Sequence, residues 1–296
     1  MRVLVLGATG SIGTAVSTEL KARGYDVVAL ARSKSSSEKL EKLGYETILG
    51  DIRSPNKWST IIHSVDAIVH AAVTFTDDMG DVDRRLLEEL SAQAVNRTNP
   101  LRMIYTGGCW LYGATGNAIA TEEEINFNPI SSFAWMVDNA RFLLDRPEFN
   151  TAIIHPAMVY HSEGGVFARF LEQAAVGCSI EIWGSHSVRW PLIHRDDLAV
   201  AYCSLLANDA LAGHFNASSE KGVRVGEIAE HIAQTAGNEL PFVERTMEDV
   251  VREHGEWAEG PTLDQQMASD KLRQQTGWSP RVTDYSKTKL NLPSMR

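Results

Sequence analysis

The sequence predicts an α/β protein: a doubly wound parallel sheet with helices on both faces, followed by a small C-terminal lobe. Three observations predict it. The first half alternates short, near-continuous apolar runs with helical stretches, as strands buried on both faces of a parallel sheet do. Three glycines, Gly7, Gly10 and Gly13, join the first such run to the first helix. After Tyr160 the alternation breaks into shorter, mixed elements. The 296 residues divide into a first unit at 1–160 and a lobe at 161–296, with 190–217 returning to the first unit.

Taken in order, "RVLVLG" is a strand, and "TAVSTELKARG" a helix closed by Gly24. "DVVALAR", "SSEKLEKLG" and "YETILGD" follow as strand, helix and strand. "DAIVHAA", "RMIYTGG" and "TAIIHPAMVY" are three further apolar strands with helical stretches between them. One of those stretches, "SSFAWMVDNARFLLD", puts Phe133, Met136, Ala140, Leu143 and Leu144 on one face, with Trp135, Asn139 and Phe142 beside it. "TEEEINFN" reads as a solvated acidic loop leading into a helix. In the lobe, "GGVFARFLEQAAVG" is a helix, "SIEIWG" a strand and "HRDDLAVAYCSLLAN" a helix. "FNASS", "RVGEIAEHIAQTAG" and "PFVERT" give strand, helix and strand. "TMEDVVREHGEWAEGPTLDQQ" reads as a helix with a mobile loop, and "SKTKLNLPSMR" as a loose tail.

The totals narrow the function. A net charge of −10 argues against nucleic-acid binding, which needs a cationic surface. No apolar run is long enough to span a membrane, and "MRVLVLG" starts a strand where a signal peptide would need room. Cys109, Cys178 and Cys203 are too far apart for a CxxC pair, so neither a metal site nor a disulfide framework is expected. The reading is a cytoplasmic protein acting on a small molecule.

"VLVLGATGSIGTAV" carries the sharpest chemical signal. Gly7 permits a tight turn, Gly10 a close approach of backbone to a pyrophosphate, and Gly13 close packing of helix on strand. The helix start, with Thr9, Ser11 and Ile12 around it, offers free N–H groups to phosphate oxygens. A carboxylate at the end of the second strand would hold a ribose 2′-hydroxyl and repel a 2′-phosphate. "ALARSKS" places Arg32 and Ser33 there instead, and both can bind a phosphate. The expected cofactor is NADP(H).

"GATGSIG", "GDIRSP", "IVHAAV", "MIYTGGCWLYG", "IIHPAMVY", "WPLIHRDDLAVAY" and "LRQQTGWSPR" occur in the order seen in the extended short-chain dehydrogenase/reductase family. The chain resembles its nucleotide-sugar epimerase/dehydratase branch of Rossmann proteins almost end to end. The resemblance implies that Asp51 and Ile52 flank the adenine and that Ala71, Ala72 and Val73 line the ribose and phosphates. It puts Thr106 near the nicotinamide ribose and Pro156 through Val159 near the nicotinamide. It makes the C-terminal lobe substrate-binding, and implies a homodimer through helices such as "EELSAQAV" and "DNARFLL".

The catalytic part departs from the family pattern, which pairs a Ser or Thr with Tyr-x-x-x-Lys on the next helix. The serine position falls on Gly108, the tyrosine on Trp135 and the lysine on Asn139. No lysine lies between Lys57 and Lys221, and no tyrosine between Tyr112 and Tyr160. Asn139 can still bond a ribose hydroxyl. Tyr160 and His161 are the candidates for a replacement acid, as the titratable groups closest to the expected nicotinamide site. Thr74, Cys109, Trp110, Trp135 and His186, with Trp183, are expected in the substrate pocket. Three functions fit: an NADPH-dependent reductase of a small, largely apolar C=O, C=N or conjugated C=C compound; a non-redox isomerase, cyclase or lyase; and a silent NADP(H)-binding sensor. The reductase is favoured because most chains with this nucleotide site do redox chemistry.

Overall fold

A computed structural model describes residues 1–123, 126–237 and 239–293. Glu124 and Ile125 of the acidic stretch, and the last three residues of the tail, lie outside the described residues. The first unit runs β1 (Arg2–Leu6), α1 (Ser11–Ala22), β2 (Asp26–Ala31), α2 (Lys34–Lys42), β3 (Glu46–Leu49), β4 (Ala67–His70), α3 (Met79–Ala94), β5 (Leu101–Thr106), α4 (Trp135–Leu144) and β6 (Phe149–Pro156). There follow β7 (Met158–His161), β8 (Gly164–Gly165), α5 (Ala168–Ala175), β9 (Ile180–Trp183), β10 (Arg189–His194), α6 (Arg195–Leu206) and β11 (Gly213–Ala217). The chain ends with β12 (Glu220–Arg224), α7 (Val225–Thr235), β13 (Phe242–Arg245), α8 (Met247–His254) and α9 (Asp270–Thr276).

Among the described residues the main sheet has seven strands in the order β11-β6-β5-β4-β1-β2-β3. All its pairings are parallel. Alternate residues of each strand feed opposite faces, as the two-residue period requires. Val3, Val5 and Ala29 pack with Val16 and Leu20 of α1 and Leu198 and Leu205 of α6. Leu4, Leu6 and Val28 pack with Leu86, Leu87 and Leu90 of α3 and Leu143 of α4. The strand order reverses at β1, so a crevice opens between the carboxyl ends of β1 and β4.

Several local readings change. "TAIIHPAMVY" is not one strand: β6 stays in the main sheet, while β7 pairs with β10 and β8 in a second sheet. The break falls at Ala157, whose amide bonds the Ala217 carbonyl, after a proline that cannot donate. Gly164 and Gly165, read as helix, form β8, and α5 starts at Ala168. Within 190–217, β10 belongs to the second sheet, while α6 packs on α1 and β11 edges the main sheet. Glu122 is not a solvated acid; its carboxylate accepts the Asn216 amide at 2.5 Å. The tail packs down as far as it is described, with Leu290 buried and the Asn291 amide 2.7 Å from the Ser162 carbonyl. Among the described residues no helix is long and apolar enough to cross a membrane.

Candidate functional site

At the end of β1 the chain turns at Gly7, which has a φ of +89°. A Cβ there would lie 2.6 Å from the Ala71 carbonyl oxygen, so only glycine lets β1 and β4 splay at this point. The Gly10 amide closes the turn on the Gly7 carbonyl at 2.9 Å. A Cβ on Gly13 would stand 2.1 Å from that same carbonyl, so Gly13 allows α1 to sit against the strand end. No side chain caps the N-terminus of α1, and its first turn holds no acid. The free amides and the positive end of the helix dipole face the crevice.

A cavity of about 930 Å³ runs along the carboxyl ends of the strands. Gly7, Thr9, Gly10, Ser11 and Ile12 form its floor at the turn. On the β2 side it is lined by Leu30, Arg32, Ser36 and Ile52, and on the β4 side by Ala71, Ala72, Val73 and Thr74. Two contacts expected at this end lie off it. Ser33 caps α2 by accepting the Ser36 amide at 3.1 Å, which leaves Ser36 in the wall. Asp51 accepts the Arg53 amide at 2.8 Å, and only its neighbour Ile52 reaches the cavity. The glycine cradle, the uncapped helix and Arg32 fit a phosphate-rich dinucleotide.

Farther along, Thr106, Gly108, Cys109, Pro156 and Val159 line the wall. Thr106 donates to the His70 carbonyl at 2.7 Å and stands 2.6 Å from the Tyr202 hydroxyl. Gly108 faces open space. Burial pushes the Cys109 thiol up to about 12, so it is a poor acid at neutral pH. Trp135 lines the cavity, packs its ring on Gly80 of α3 and donates its indole N–H to the Ser132 carbonyl at 3.0 Å. The far end is aromatic, with Trp110, Phe133, Trp183, Trp190 and Trp257, and with Arg169 beside them. Arg169 stacks on Trp183 at 4.3 Å and bonds the Glu181 carbonyl.

Asn139 does not face this cavity. It is buried and donates to Asp83 at 2.7 Å: Trp135 and Asn139 stand one turn apart on the face of α4 that meets α3, and the shorter side chain is taken up by the α3 carboxylate. Tyr160 and His161 also lie elsewhere, since β7 has left the main sheet. Tyr160 is wholly buried and stacks on Phe167, and His161 accepts the Glu163 amide outside the cavity. His186 is at the surface, 2.7 Å from Glu244 and edge-on to Phe242. Sequence reasoning missed His70, Asp83 and Tyr105, which line the wall together, and Trp190, Trp257 and Arg169 at the aromatic end. Asp83 had a signal: it is a charge set among Val82, Leu86 and Leu87 on the apolar face of its helix.

Comparison with known proteins agrees with this geometry. The family model described as NAD dependent epimerase/dehydratase family matches residues 3–218. A dTDP-4-dehydro-6-deoxy-D-allose reductase from a Streptomyces species is 26% identical, over 79% of this chain and 81% of its own. The UDP-glucose 4-epimerase of Thermus thermophilus, solved with NAD, superposes with a TM-score of 0.81 at 18% identity, covering 99% of this chain and 98% of its own. A human epimerase family protein solved with NADPH gives 0.78 at 20% identity, covering 97% of each.

Proposed function

The chain belongs to the NAD dependent epimerase/dehydratase family, and from that premise we propose that it is an NADPH-dependent reductase of a small, largely apolar substrate. The observation that carries the reading is one continuous cavity, with a glycine cradle and Arg32 at one end and an aromatic wall at the other. Arg32 stands where a 2′-hydroxyl-binding carboxylate would otherwise be, which favours the 2′-phosphate of NADP(H). The relative named as a reductase and the neighbour solved with NADPH are consistent with this. Three free cysteines fit a reducing, cytoplasmic setting.

When bound, the nicotinamide ring supplies the hydride. The protein's own residues hold the phosphates on the α1 amides, hold the adenosine end at Arg32 and Ile52, and line the reacting end with aromatic rings. Trp135 closes that end without supplying a proton, because an indole N–H does not ionise usefully near neutral pH. Cys109 is held protonated as well, so neither of these two residues is suited to acid catalysis on a simple ketone. Imines, iminium ions and conjugated enones need least help of that kind, so they are the favoured substrate classes. Nucleotide sugars are disfavoured: among the described residues Arg169 is the one cation at the aromatic end, and a second diphosphate would require more.

NADPH is expected to bind at least tenfold more tightly than NADH, and Arg32→Asp to abolish or reverse that ratio in equilibrium titrations. Equal affinity in the wild type would remove the NADP(H) assignment. NADPH should be consumed with members of an imine, enone and aldehyde panel. Product formed without cofactor turnover would instead support a non-redox enzyme.

A further inference from the structure

The cavity wall carries one carboxylate, Asp83, among the described residues. It reaches the wall from the first half of α3 and is 5% exposed. Its Oδ1 lies 2.7 Å from Nε2 of His70, and its Oδ2 accepts the Tyr105 hydroxyl and the Asn139 amide, each at 2.7 Å. His70 Nδ1 faces the Ala72 amide at 3.4 Å, which leaves Nε2 to donate to Asp83. Three donors converging on two oxygens call for an acceptor-only group, an ionised carboxylate. Burial, reinforced by Asp83, pushes the Tyr105 hydroxyl well above its usual range, so it stays a donor.

The cation next to these partners is Arg84. Its Nη1 lies 3.3 Å from the Asn139 side-chain oxygen, and its guanidinium stacks on Phe142 at 4.1 Å on the far side of the network. Arg84 does not line the cavity, so the charged group presented at this point of the wall is the Asp83 carboxylate, where a lysine at residue 139 would have set a cation against it.

Gly10 and Arg32 place the phosphate and adenosine half of a dinucleotide over β1 and β2, so its nicotinamide half lies past β4, toward β5 and the end of β6. His70 at the end of β4 and Tyr105 near the end of β5, with Asp83 between them, put the carboxylate on the wall along that half. A nicotinamide ring carries one more positive charge when oxidised than when reduced. A fixed carboxylate in a low-dielectric wall attracts the charged form.

Resting on the reading of this cavity as an NADP(H) site, we propose that Asp83 tips it toward the oxidised dinucleotide and so favours hydride delivery to the substrate within the bound complex. In that direction a hydride moves with both bonding electrons to the unsaturated carbon of the substrate. The π bond of the acceptor opens, and its heteroatom, or the far carbon of an enone, takes a proton from water.

The test is equilibrium titration of the full chain with NADP+ and with NADPH separately, so that no turnover is read. Wild-type protein should bind NADP+ at least as tightly as NADPH; NADPH binding tenfold tighter than NADP+ overturns the proposal. Asp83→Asn should shift the ratio of the two dissociation constants about fivefold or more toward NADPH. Asn139→Lys keeps a donor to Asp83 while cancelling its charge, and should shift the ratio the same way. A ratio unmoved in whichever variants fold overturns the proposal and leaves the NADP(H) site intact. Failure of the wild type to bind either form would instead defeat the cofactor reading, and the proposal with it.

Discussion

Gly13 has no side chain at the point where α1 crosses the end of β1, and the Gly7 carbonyl occupies the space a methyl group would need. Gly13→Ala must therefore lift α1 off the strand, at a cost of about 2 kcal/mol or more. The expected result is a lower urea midpoint together with weaker NADPH binding, since the α1 amides move with the helix. Gly108→Ser is the contrasting case. Residue 108 faces open space in an extended conformation that any residue adopts, so its stability should stay within about 0.5 kcal/mol of wild type. These two glycines show what the sequence made legible at the site. The cradle was readable because glycine spacing dictates backbone shape locally. The Asp83 network was not, because its members come from β4, α3, β5 and α4 and meet only in the folded chain.

At the scale of elements, β1, β2, β4, β5 and β6 were readable because each is an apolar run buried on both faces, whereas β3, the half-exposed edge strand, was readable from its place in the strand–helix alternation. The departure of β7 from the main sheet was hidden, since the apolar run continues without interruption through Pro156. β12, "EKGVR", is polar and lies at a sheet edge, so it carries no hydrophobic period to read. α4 shows the limit of the helical period: its buried set includes Asn139 and Phe142, while Leu144 is exposed. The amide was drawn inward by a buried carboxylate that periodicity cannot see. α6 is held by another such carboxylate. Asp197 is buried and accepts the Arg281 and Val282 amides at 2.9 and 2.8 Å, and its carbonyl takes the Trp278 indole N–H at 3.0 Å. Asp197→Ala would strand two amides and free the C-terminal segment from the helix that backs α1. A loss of about 2–4 kcal/mol is expected. Hydrogen exchange should quicken first at Arg281 and Val282; unchanged protection there would show that the clamp does not hold the segment.

Across the whole molecule, acid stability turns on a histidine pair carried by the neighbouring strands β6 and β11 of the main sheet. His155 Nε2 lies 2.9 Å from His214 Nδ1, the rings stack at 5.2 Å, and Phe127 and Tyr112 pack against His155. Burial, followed by the neighbouring His214, depresses His155 to about 3; burial, followed by Lys271, depresses His214 to about 4. Both rings are neutral in the fold near pH 6.5, whereas the unfolded chain protonates them as pH falls below that value. The unfolded state thus binds about two more protons between pH 6.5 and 4, and stability falls with acidification across that window. Glu220 opposes this. Burial raises it to about 7, so its stabilising protonated form is present below pH 4.5 and is lost as pH rises through 7. It is half-buried and screened by solvent, so one carboxyl offsets less than one histidine. The net difference, between one and two protons near pH 5.5, gives a slope of about 1.4–2.7 kcal/mol per pH unit there, with stability rising from pH 4.5 to 6.5. Urea midpoints measured across that range should show this rise, and His214→Gln should flatten it while keeping a partner for His155. An unaltered slope in the variant would assign the acid sensitivity to other groups.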